Sequence, residues 1–157
     1  MFDDQVPELF DDEHTITLGE GAGSGRLLKP GDLVGGSYRL KSLIGRGGMG
    51  YVFCAEHTMI KCDYALKILA PERLNEASWK RFEMEGRAIA ALDHPNIVKV
   101  YNMGIDAGDC PYYVMDLLSG KSLLSFIKSG RAQDMNQILD LFMQIAAGLA
   151  YAHGKGI

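Results

Sequence analysis

Lys67 and Glu85 are two charged side chains set against the apolar pattern of their own segments. Lys67 lies in YALKIL (64–69), which reads as a β-strand, and side-chain alternation puts it on the face of Ala65 and Leu69. Lysine is depleted in strands, so its ammonium either snorkels to water at a sheet edge or meets an anion. Glu85 lies in a segment where Phe82, Ile89 and Leu92 recur at helical spacing, an arrangement that carries its carboxylate onto the apolar face. In another register it faces solvent, as Glu83 does. An unpaired buried carboxylate is costly, so an inward Glu85 needs a cation, and Lys67 is the simplest candidate.

Upstream, residues 43–57 read LIGRGGMGYVFCAEH, with Gly45, Gly47, Gly48 and Gly50 packed into six positions. Glycine loses the most freedom on folding, so such a cluster implies a turn with positive φ or a close approach to the backbone. The G-x-G-x-x-G spacing is shared with the dinucleotide-binding fingerprint, but that loop must open a helix, whereas YVFCAEH after Gly50 is β-branched and aromatic. A G-x-x-x-x-G-K-[ST] phosphate loop is excluded, because no Lys lies between Gly45 and Val52. Two readings remain open on this loop alone: a plain glycine hairpin, and a glycine hairpin whose backbone folds over a triphosphate.

The elements that must position these residues follow from hydrophobic periodicity. Residues 1–33 mix acids with GEGAGSG (19–25), a composition that reads as a flexible tail. From Ser37 the chain turns to short Val-, Ile-, Tyr- and Phe-rich segments punctuated by glycine. SYRLKSLIG (37–45), GYVFCAEH (50–57), DYALKILA (63–70), NIVKVYNMG (96–104) and CPYYVMDLL (110–118) are expected strands. Between the third and fourth, residues 71–95 carry Trp79, Phe82, Ile89 and Leu92 at helical spacing and stop before Pro95. After the fifth strand come a short helix around SLLSFIKSG and a longer one from Asp134, where Asp134 and Gln137 resemble a capping box. Ile138, Leu141, Phe142, Ile145 and Leu149 form that helix's apolar stripe. The order predicts an α+β fold: a mostly antiparallel sheet with one packed helix, then the start of a helical region.

Composition narrows the function classes. The 157 residues are 47% apolar and 23% charged, ordinary for a globular chain. The net charge of −4 belongs to the N-terminus: residues 1–25 hold seven acids and neither Lys nor Arg, leaving 13 acids against 16 bases elsewhere. No basic stripe suggests a nucleic-acid partner. Cys54, Cys62 and Cys110 make no C-x-x-C, so neither a zinc site nor a disulfide framework is expected, and a reduced, cytoplasmic setting is. Neither a signal peptide nor a membrane span is expected, since the N-terminus shows no basic n-region or apolar h-region and no run reaches 18 apolar residues.

Taken together, residues 37–157 resemble the N-terminal lobe and the first helices of the protein kinase family. The loop G-x-G-x-x-G-x-V is matched by Gly45, Gly47, Gly50 and Val52, the third-strand V-A-I-K by Tyr64, Ala65, Leu66 and Lys67, and the αC glutamate by Glu85. DHPNIV (93–98) resembles the turn into the fourth strand, and VMDLLSG (114–120) the hinge between lobes. GRGGMGYV and RFEMEGRAIAALDHPNIVKVY are similar to bacterial eukaryotic-like serine/threonine kinases of the Hanks type. The resemblance implies an organisation of tail (1–33), kinase N-lobe (34–118) and start of the C-lobe (119–157), with a five-stranded sheet and the αC helix. It also implies ATP as ligand and a protein Ser/Thr as substrate. ATP would lie under Ile44, Gly45, Gly47, Gly48 and Gly50. Lys67 would hold its α- and β-phosphates and Glu85 would hold Lys67. Val52, Ala65 and the gatekeeper Met115 would enclose the adenine, and backbone groups of Asp116 and Leu118 would hydrogen-bond it.

The resemblance stops short of the catalytic loop H-R-D-x-x-x-x-N and of D-F-G, which in the family supply the base and the Mg²⁺ ligands. His153 belongs to the preceding helix's last turn, where a cap or dipole role is expected. These 157 residues alone are therefore expected to be inactive, as part of a longer kinase, with an uncovered helix stripe that lowers solubility or recruits a partner. The competing reading is a non-catalytic module that binds nucleotide or a partner through the same lobe.

Overall fold

The computed structural model describes residues 28–70, 74–106, 109–129 and 134–157. The expected tail falls outside these residues up to position 27. In chain order the elements are β1 (Leu33–Val34), β2 (Tyr38–Arg46), β3 (Gly50–His57), β4 (Asp63–Leu69), α1 (Glu76–Ala90), β5 (Val100–Asp106), β6 (Cys110–Met115), α2 (Leu123–Lys128) and α3 (Met135–Gly154). The strands form one sheet in the order β1-β2-β3-β4-β6-β5, with every neighbouring pair antiparallel.

Where the strands differ from expectation, a hydrogen bond explains it. A sixth strand, β1, begins at Leu33, inside the segment read as tail. It is preceded by a turn in which Lys29 N–H donates to Asp32 Oδ2 (3.0 Å) and Gly31 N–H to the Leu40 carbonyl (2.8 Å). Residues 96–99, expected as strand, lie outside β5: the chain turns at 95–97, where Ile97 N–H donates to the His94 carbonyl (3.0 Å) and Asn96 N–H to His94 Nδ1 (3.1 Å). β6 ends at Met115 because the Asp116 carboxylate turns back to accept from Lys99 N–H (2.8 Å) and the Tyr101 hydroxyl (2.6 Å).

The sheet curls over on itself. Although β1 and β2 stand at the far end from β5, Gly35 N–H donates to Asp106 Oδ1 on β5 at 2.9 Å, and Asn102 Nδ2 of β5 donates to the Tyr38 hydroxyl of β2 at 3.1 Å. Gly35 has φ 56°, and a Cβ there would collide with the Tyr112 hydroxyl, so this corner requires glycine. Inside the curl lies the larger core: Val34, Leu40, Phe53, Ala55, Leu66, Ile68, Tyr112 and Val114. Tyr38 meets Tyr112 and Tyr64 edge-on at 6.2 and 6.3 Å between centroids, a favoured aromatic geometry.

The opposite face receives α1. Asn75 caps this helix by accepting from Ser78 N–H at 2.9 Å, and Glu76 sits favourably in its first turn. The helix buries Phe82 and Gly86 against Leu69 and Tyr113, with Met49, Val100, Met103 and Met115 packed around them. A Cβ at Gly86 would run into the end of the Met103 side chain, so glycine here brings the helix axis close to the sheet. The ion pairs Glu76–Lys80 and Glu83–Arg87 line its exposed side and contribute little.

α2 and α3 are capped by Ser122 and Asp134. The Asp134 carboxylate accepts from Asn136 N–H at 3.3 Å, one residue before the expected capping-box partner. α3 reaches the rest of the molecule through the 94–97 turn: Asn96 Nδ2 donates to the Gln144 carbonyl at 3.1 Å, the His94 and Tyr151 rings stand 5.2 Å apart, and buried Gly148 lets Asn96 and Ile97 approach. No helix among the described residues is long and apolar enough to cross a membrane.

Candidate functional site

Strand register gathers the singled-out residues on one face. Val52 stands opposite Lys67 across β3 and β4, and Lys67 opposite Tyr113 across β4 and β6; Ala65 is opposite Met115 one step along. Directly opposed residues share a face. Val52, Ala65, Lys67, Tyr113 and Met115 therefore form a patch on the side of α1, while Phe53, Leu66, Ile68, Tyr112 and Val114 point into the curl.

Lys67 Nζ donates to Glu85 Oε1 at 2.5 Å, which settles both open questions about these side chains: neither snorkels away and the helix register faces inward. With 18% and 29% of their side chains exposed, the pair stands at the edge of the core with access to water. Sequence reasoning missed a third member. The Tyr113 hydroxyl donates to the same Glu85 oxygen at 2.8 Å, and its ring lies 5.5 Å from Lys67 Nζ. The available signal was its period-2 register with Lys67, which requires knowing that β6 pairs with β4.

Burial works to raise the Glu85 carboxyl pKa, but the hydrogen bonds from Lys67 and Tyr113, with the Lys67 charge, outweigh it and leave the carboxyl below its ordinary value. For Tyr113, burial and then the bond to Glu85 both push the hydroxyl far up, so it stays a protonated donor. The arrangement is a partly exposed cation held by an ionised carboxylate.

The glycine hairpin joins β2 to β3 at the edge of this face. Gly47 N–H donates to the Gly50 carbonyl at 2.9 Å and closes it. None of its glycines has positive φ. Gly50 is demanded by the fold, since a Cβ would drive into the Ile68 carbonyl of β4. At Gly45 and Gly47 the nearest atoms to an added Cβ are 3.6 and 3.9 Å away, and at Gly48 nothing lies within 4 Å. Ile44 is the extra residue of a bulge between Leu43 and Gly45. At the far end of the patch, Asp116 and exposed Leu118 follow β6 toward α2. Among the described residues no group of three or more His, Cys, Asp or Glu converges.

This geometry has counterparts. A protein kinase domain model matches residues 38–157. The chain is 33% identical over 128 residues to the serine/threonine-protein kinase PrkC of Bacillus subtilis, an alignment covering 81% of this chain and 20% of PrkC. It is 33% identical over 132 residues to the serine/threonine-protein kinase PknA of Mycobacterium tuberculosis, covering 81% of this chain and 31% of PknA. The crystal structure of the Mycobacterium tuberculosis PknI kinase domain is similar with a TM-score of 0.67 at 26% identity, over 83% of this chain and 53% of that one. The chain thus spans 20% to 31% of the length of these two curated relatives. With its curled antiparallel sheet, docked helix and lysine–glutamate pair, the chain belongs to the protein kinase family, in its bacterial Hanks-type serine/threonine branch.

Proposed function

We propose that residues 34–118 bind ATP as the N-lobe of a cytoplasmic kinase that transfers the γ-phosphoryl group to Ser or Thr of a protein, with residues 119–157 beginning its C-lobe. The observation that carries this reading is the Lys67–Glu85 pair beside a hairpin whose Gly45, Gly47 and Gly48 are not required by the chain's own packing. Missing Cβ atoms there let phosphate oxygens come close to the backbone. Lys67 holds the α- and β-phosphates, and Glu85 fixes the Lys67 ammonium. Val52, Ala65 and Met115, with Ile44, enclose the adenine ring. Small Ala65, opposite Met115, makes the room. The Asp116 side chain is already engaged by Lys99 and Tyr101, which orients the backbone at 116–118 for hydrogen bonds to adenine through Asp116 and Leu118.

Phosphoryl transfer also needs a positioned base and metal-assisted charge stabilisation, and these 157 residues offer no match to the motifs that supply them. The chain by itself is a nucleotide-binding unit with negligible turnover. A fluorescent ATP analogue titrated into the full chain tests this. Saturable binding, displaced by unlabelled ATP and lost in Lys67→Met, is expected. Absence of binding overturns the ATP reading, and turnover that disappears in Lys67→Met overturns the statement of inactivity.

A further inference from the structure

Glu85 receives two donors on one oxygen. Lys67 Nζ and the Tyr113 hydroxyl both point to Oε1, at 2.5 and 2.8 Å, from residues directly opposed across β4 and β6. The two donors differ in kind. Lys67 ends a flexible stem in a charged group with three donors, which an arriving phosphate competes for. Tyr113 is a neutral group on a rigid ring, 1% exposed and tilted against Phe82 at 5.0 Å between centroids, with Gly86 alongside. A phosphate has no charge on Tyr113 to attract, and the packed ring holds the hydroxyl on Glu85. Phenylalanine would fill nearly the same volume and donate nothing.

We propose that Tyr113 is a positioning residue whose hydroxyl keeps the Glu85 carboxylate, and with it α1, docked on the sheet while Lys67 engages a bound phosphate. This rests on the reading of Lys67 as the phosphate-holding lysine. It accounts for a tyrosine at a β6 position where packing alone asks for any large apolar residue. The titratable groups that bear on Glu85 are Lys67 from β4 and Tyr113 from β6, so the Glu85 carboxyl reports on both.

The test uses Tyr113→Phe in the full chain, with the Glu85 side-chain carboxyl followed by ¹³C NMR across acid pH and a fluorescent ATP analogue as the binding probe. Removing the hydroxyl raises the pH at which Glu85 titrates. It also weakens the analogue by roughly two- to tenfold, the range expected for the net contribution of one hydrogen bond. In a Glu85→Ala background, which leaves the hydroxyl no oxygen to donate to, the same substitution has no further effect on binding. An unchanged Glu85 titration, or an equal loss of affinity in both backgrounds, overturns the proposal. Should Tyr113→Phe not fold, the wild-type chain decides: the hydroxyl-bearing ring carbon of Tyr113 must shift with the midpoint of Glu85, and a flat response is a contradiction. If the wild-type chain fails to bind the analogue, the ATP reading falls, while the carboxyl titration still judges Tyr113.

Discussion

The two faces of the curled sheet are built from the same strands and do opposite things. On β4, Leu66 and Ile68 are fully buried inside the curl, whereas Ala65 and Lys67, one residue away, belong to the patch beneath α1. The inner face is apolar and aromatic throughout, filled by Phe53, Leu66, Ile68, Tyr112 and Val114. The outer face keeps a charged pair at its edge, partly open to water. Period-2 alternation thus lets a seven-residue strand fill the core with one set of side chains and present the proposed phosphate-holding lysine with the other. Substitutions on the two faces should separate cleanly: one set should move folding, the other binding.

The largest effect expected is on the inner face. Phe53→Ala should lower stability by about 3–5 kcal/mol and Leu66→Ala by about 2–5 kcal/mol, measured by denaturant unfolding. A cost below about 1 kcal/mol for either would mean that the curl is not closed in solution.

Next come two glycines of one hairpin. Gly50→Ala forces a Cβ into the Ile68 carbonyl and should cost about 1–3 kcal/mol, because the β3–β4 pairing must shift. Gly48→Ala meets open space and should stay within about 0.5 kcal/mol of wild type in stability, while weakening nucleotide binding. Equal stability losses at both positions would break the distinction between a glycine the fold needs and one a ligand needs.

Smaller again is the coupling across the outer face. A double-mutant cycle of Lys67→Ala and Glu85→Ala should give an interaction free energy of about 0.5–3 kcal/mol in stability or nucleotide affinity. Strict additivity would describe a helix swung away from the sheet. The mildest effect is on pH dependence. The Glu85 carboxyl is lowered from its ordinary value of 4.5 in the folded chain, so its contribution is complete above that value and fades as pH falls through the lower, folded one. Glu85→Gln should therefore flatten the acid limb of a stability profile below pH 4.5 and leave its neutral part with the same slope.

Much of this is legible in the sequence. Period-2 runs and glycine punctuation located the strands, and Glu85 among Phe82, Ile89 and Leu92 located the inward carboxylate. What escaped depended on long-range pairing. β1 is two residues long and owes its place to Leu40 and to the Gly35–Asp106 bond, neither of which local composition encodes. Residues 96–99 have strand-like composition but lie outside β5, after a turn that docks α3 through Asn96. Gly50 looked like its neighbours in the hairpin, and only the β3–β4 register shows that it alone meets a backbone carbonyl. Tyr113 is a core aromatic whose hydroxyl reaches Glu85 only through the β4–β6 pairing. On α3 the apolar stripe is left largely uncovered, as expected: Phe142 and Leu149 are 58% and 53% exposed, and Gly148 is the helix's buried residue.

The central claim is that Lys67 stands where a nucleotide's phosphates bind. An ATP analogue carrying a reactive acyl phosphate, which transfers its acyl group to a lysine amine beside the bound phosphates, tests it most directly when the labelled residues are mapped by mass spectrometry. The account predicts acylation at Lys67, suppressed by excess ATP. Label spread over surface lysines such as Lys41, Lys61 and Lys80, with no protection by ATP, would contradict it.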